Sequence, residues 1–112
     1  MEQNGLNAQF NKLIIKRKTI PSYVDIDYDH NPIIQDMIEL LTRNIVETIA
    51  FLDEECSSEQ FLWMSEIFEE IATKTQSKPF IEALKRTAKK YPEITKEYNI
   101  ASFIDDAENC IS

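Results

Sequence analysis

Between Asn31 and Glu54 the chain reads "NPIIQDMIELLTRNIVETIAFLDE", and the spacing of its apolar residues decides the fold class. Ile34, Ile38, Leu41, Ile45, Ile49 and Leu52 recur at steps of four and three, the period that lines one face of an α-helix. A half-buried strand would alternate at every second residue instead. Asn31 offers an N-cap side chain, and Pro32 fits the first helical position, where no backbone N–H is needed. One long amphipathic helix reaching to about Glu54 is expected.

The same pattern continues downstream. In "SSEQF", Ser57 and Gln60 have the spacing of a capping box, and Phe61, Met64, Phe68, Ile71 and Thr75 then share one face of a second helix running to about Gln76. Ser77 can cap a third helix with Pro79 in its first turn, carrying Phe80, Leu84, Ala88 and Tyr91 inward until Pro92 interrupts. A short helical turn over Glu93 to Tyr98 follows. Ser102 and Asp105 repeat the N-cap and N3 pairing ahead of an apolar face of Phe103, Ile104, Ala107 and Ile111. Upstream, "NAQFNKLIIKRK" fits either a short helix or a strand with a basic end, closed by Pro21. A single glycine, Gly5, disfavours a turn-rich all-β fold and every glycine-dependent phosphate cradle. The 112 residues therefore predict one all-α domain, a small helical bundle or stacked helical hairpins. An extended acidic segment is expected near residues 23–30, within an N-terminal part, residues 1–30, whose structure the pattern leaves open.

Charge separates the function classes. The net charge is −8, yet residues 25–72 hold thirteen acids against one base, Arg43, a local charge of −12. A block this acidic repels nucleic acid and anionic lipid and speeds encounter with a basic protein. The basic runs "KRK" at Lys16–Lys18 and "KRTAKK" at Lys85–Lys90 are better explained as complements to helix C-termini than as a nucleic-acid site. The opening "MEQNGLNAQF" lacks the basic start and apolar run of a signal peptide, and no stretch has the length of a membrane span, so a cytoplasmic protein is expected. Cys56 and Cys110 then read as two buried thiols and not as a bridge. With His30 the only histidine and no hydrolase, P-loop or paired-cysteine motif, neither an enzyme nor a metal or cofactor site is expected. Carboxylate pairs at helical spacing, such as Glu66 and Glu70, sit on charged faces where burial is not expected to raise a pKa for acid catalysis.

Two features offer candidate binding residues. In "YVDIDYDHNPIIQD", Tyr23–Asp36, the residues Asp25, Asp27, Asp29 and Asp36 fall at positions one, three, five and twelve of a calcium loop. His30 stands where that loop requires glycine, and Pro32 follows, so calcium binding is not expected. Read as extended chain, Tyr23, Asp25, Asp27 and Asp29 form a row of side chains about 6.5 to 7 Å apart, the spacing of phosphates along a nucleic-acid strand, while Val24, Ile26 and Tyr28 point the other way. Tyr23, Asp25, Asp27, Tyr28 and Asp29 are thus candidate partner-binding residues, beside the plainer reading of a solvated acidic linker. The second feature is Trp63. It falls nearly opposite Phe61, Met64 and Phe68 on the helical wheel, with Glu59, Glu66 and Glu70 around it. Either these four residues form an interface anchor ringed by charge, or Trp63 packs against the N-terminal segment.

The run "SEIFEEIATKTQSKPFIEALKRTAKKYPEITKEYNI", Ser65–Ile100, resembles helical immunity proteins encoded beside bacterial toxins, including those of contact-dependent growth inhibition systems. The likeness covers about a third of the chain and rests on a helix pair with the "KTQSKPFIEAL" connection and the "KKYPE" exit. It implies a small cytoplasmic protein that blocks a cognate toxin, commonly a nuclease, by occupying its active or substrate-binding surface. No residue role carries over, because such proteins diverge at their binding faces. The competing expectation is a helical adaptor or regulatory module that binds a cellular protein and inhibits nothing.

Overall fold

The computed structural model of the chain describes residues 5–18 and 32–112. Among the described residues all regular structure is helical: α1 Leu6–Lys18, α2 Pro32–Arg43, α3 Ile45–Glu54, α4 Ser58–Ser65, α5 Phe68–Thr75, α6 Lys78–Lys90, α7 Pro92–Glu97 and α8 Ile100–Asn109. The N-terminal "NAQFNKLIIKRK" run is thereby settled as a helix. Its Leu6, Phe10 and Ile14, one turn apart, are buried. The extended segment expected near residues 23–30, the His30 position and the Asn31 cap lie outside the described residues.

Both long helices expected from the apolar stripes are broken once. α2 ends at Arg43, and Asn44 takes an extended backbone (φ −145°, ψ 94°) to cap α3, its side chain accepting from the Glu47 N–H. Thr48 then donates to the Leu41 carbonyl at 2.8 Å, satisfying an acceptor that the break leaves open. The turn rotates the stripe. Thr48, Phe51 and Leu52 are buried in α3, while Ile45 and Ile49 are only half-buried. The second break falls at Glu66–Ile67, where Ile67 (φ −125°, ψ 17°) opens α5 without a side-chain cap. Phe61, Met64, Phe68 and Ile71 stay buried on both sides of it, so the expected core face survives the kink.

The capping box forms as the spacing predicts: Ser57 Oγ accepts from the Gln60 N–H at 3.1 Å, and Gln60 Oε1 accepts from the Ser57 N–H at 2.9 Å. Ser57→Ala is expected to cost about 1 kcal/mol, read as a lower denaturant midpoint at unchanged slope. Ser77 caps α6 with Pro79 in its first turn, also as expected. Ser102 does not cap α8. That helix starts earlier, at Ile100 after Asn99 in the left-handed region (φ 53°), so Ser102 sits inside it. The buried face becomes Ile100, Ile104 and Ala107, and Phe103, expected inward, is 40% exposed.

α5 packs on α8, α6 lies between α3 and α8, and α1 covers α2, α3 and α4. Their apolar faces meet in one contiguous core holding Phe10, Phe61, Phe68 and Phe80 with no appreciable exposure. Phe10 meets Phe51 edge-on at 6.0 Å, and Phe61 meets Phe68 at 5.6 Å. The basic run on α6 secures the C-terminus of α3. Lys90 donates to the Leu52 and Asp53 carbonyls at 3.2 and 2.9 Å, and Tyr91 donates to the Cys56 carbonyl at 2.6 Å. Arg86 grips the Asp53 carboxylate with two nitrogens at 2.9 and 3.0 Å, which holds that carboxyl below its usual range. These cations complement the negative end of a neighbouring helix dipole, in keeping with the sequence reading of this run.

Candidate partner-binding surface

The break between α4 and α5 shapes an acidic surface around an exposed aromatic. An uninterrupted helix would carry Ser65, Glu66, Glu69 and Glu70 along a convex ridge. The bend at Ile67 instead folds them around an open cleft of about 370 Å³, whose remaining lining residue is Phe103 from α8. Ser65 turns its hydroxyl away to the Leu62 carbonyl at 2.5 Å, leaving the carboxylates to dominate the walls. An exposed aromatic beside three acids offers apolar contact and charge within one patch.

Beside the cleft, α4 meets the basic end of α1. Arg17 places its guanidinium carbon 5.9 Å from the centroid of the Trp63 ring, and Lys18 forms an ion pair with Glu59. The Lys18 ammonium lowers the Glu59 pKa by hydrogen bond and by charge, and the nearby Trp63 indole N–H acts weakly in the same direction. Trp63 is half-buried and packs against the core, so it stands between the two readings offered for it: it contacts the N-terminal helix and keeps part of its ring accessible.

Glu66 departs from the expectation for charged faces. Loss of solvent around its carboxyl pushes its pKa up, with the charge of Arg17 acting against that push. The side chain as a whole remains exposed, so the shift reflects local crowding at the α4–α5 bend and not enclosure in the core.

The sequence-derived candidates therefore divide into two groups. Glu59 and Trp63 sit at the junction with α1, Glu66 and Glu70 line the cleft, and Glu66 joins the two. Tyr23, Asp25, Asp27, Tyr28 and Asp29 lie outside the described residues. Glu69 and Phe103 were not among the candidates. Phe103 had a partial signal: it sits about 65° from the centre of the Ile100, Ile104, Ala107 face, at its edge.

Other hollows are less suited to a partner. One, of about 550 Å³ between α1 and α3, contains Asn7 and Glu55, which hydrogen-bond to each other at 3.1 Å. Gln60 donates to Asn7 and Asn11 there at 2.7 and 3.0 Å, so its polar groups join helices together. Cys56 and Cys110 are free thiols; Cys56 is buried, which pushes its pKa up to about 12, while Cys110 is half-buried. Among the described residues no cluster of His, Cys, Asp and Glu is placed to hold a metal ion, and no helix is long and apolar enough to cross a membrane.

Compared with family models, curated proteins and solved structures, the chain matches none.

Proposed function

We propose that this chain is an immunity protein that binds and neutralises a cognate toxin, a basic nuclease, through the acidic surface of α4 and α5. The observation that carries the reading is Phe103, 40% exposed in a cleft walled by Glu66, Glu69 and Glu70. An apolar anchor surrounded by carboxylates suits a protein surface rich in lysine and arginine, such as one shaped to hold a nucleic-acid backbone. The charge of −12 over residues 25–72 steers such a partner from a distance and disfavours nucleic acid itself as the ligand. The resemblance of Ser65–Ile100 to helical immunity proteins supplies the inhibitory role. In this reading the protein acts in the cytoplasm by occupying the toxin's substrate surface, performs no catalysis and needs no cofactor.

Co-expression with the product of the adjacent gene, co-purification, and a nuclease assay with and without the chain test this reading. A stable complex whose nuclease is silent until the chain is removed is the expected result. A complex with undiminished nuclease activity would make the chain a non-inhibitory adaptor. No complex would end the proposal.

A further inference from the structure

The contact between α1 and α4 has the chemistry of a ligand site. An aromatic face with carboxylates at its rim is a general solution for holding a guanidinium, because the planar cation stacks on the ring while its edge hydrogens meet the acids. Trp63 provides the ring, and Glu59 and Glu66 lie one helical turn before and after it. The guanidinium on the ring is the chain's own, from Arg17, 5.9 Å from the centroid. Its fit is incomplete. The Arg17 Nε is buried and lacks a hydrogen-bond partner, an unfavourable state for a charged donor. An arginine arriving from outside is not tethered to α1 and can turn its fork toward the carboxylates.

We infer that the Trp63 face, bordered by Glu59 and Glu66, is a guanidinium-recognition site that the basic end of α1 occupies in the free protein, and that an arginine-bearing segment of a protein partner displaces Arg17 from it. The inference rests on the α4–α5 surface being the partner face, since Glu66 lines the neighbouring cleft and also feels the charge of Arg17. Self-occupation lowers the affinity of the free protein for any cationic segment. The ring itself favours arginine over lysine, because an ammonium has no plane to lay on it.

Trp63 is the only tryptophan of the chain, so its emission reports this site alone. Titrating the full chain with a short peptide of alternating arginine and glycine is expected to shift that emission saturably, and a lysine–glycine peptide at equal ionic strength much less. Arg17→Met keeps the aliphatic stem and a good helix former but removes the internal occupant. It is expected to tighten binding of the arginine peptide about two- to fivefold. Lys89→Met, which removes a positive charge at the far end of α6, is expected to leave the affinity unchanged. Arg17→Lys, which loses the planar fork and keeps the charge, is expected to tighten binding as well, and it replaces the methionine variant should that one melt early. Equal tightening by the Lys89 variant would reduce the effect to net charge and overturn the inference. So would emission that does not move, or an equal response to the lysine peptide. Because the titration involves no toxin, failure of the immunity reading and failure of this site are told apart.

Discussion

Phe68→Ala is expected to lower folding stability by about 3 to 5 kcal/mol, a large part of the 5–15 kcal/mol typical of a domain. Phe68 is 1% exposed, opens α5 immediately after the bend, and meets Phe61 at a tilt, ring centroids 5.6 Å apart. Its removal leaves a void where α4 and α5 join, and the close-packed neighbours can refill it only in part. Phe103→Ala supplies the control: the same side chain is lost from an exposed position on α8, and a change within about 0.5 kcal/mol is expected. Denaturant titration of both variants reads the difference directly. Equal losses would place Phe103 in the core and remove the aromatic anchor from the proposed surface.

The reverse ranking is expected for partner affinity. Phe103→Ala should weaken the complex by about 2 kcal/mol, roughly thirtyfold, as truncation of an anchor seated in a partner's surface does. Glu66→Gln, Glu69→Gln and Glu70→Gln together keep side-chain shape and remove three charges, so their main effect should fall on the association rate. Surface plasmon resonance on the four-residue variant should therefore show both a faster dissociation and a slower association. A variant that binds like the wild type would move the interface away from the cleft.

Much of this fold was legible in the chain because helix periodicity and caps are local. The capping box at Ser57 and Gln60, the Ser77 cap with Pro79, and the buried faces of α4, α5 and α6 all follow from spacings within one or two turns. What escaped depended on contacts distant in sequence. Asn44 can be a helix interior residue or a cap, and Thr48 reaching back to Leu41 favours the cap in the folded chain. The bend at Ile67 has no capping side chain to announce it. That bend gathers Glu66, Glu69 and Glu70 around Phe103, so the cleft could not be drawn from a straight helical wheel. Trp63 illustrates the same point from the other side. A wheel places it opposite the core, but α1 passes over α4 and brings Arg17 onto its ring, 46 positions away in the chain.

The central claim, that an acidic face steers a basic toxin onto this protein, is tested most directly by the association rate with the adjacent gene's product as a function of salt. Between about 0.01 and 0.15 M ionic strength the screening length contracts from about 30 to about 8 Å, shorter than the reach of a distributed charge of −12. The rate is predicted to fall by about tenfold or more over that range while dissociation changes little. An association rate indifferent to salt would contradict the claim.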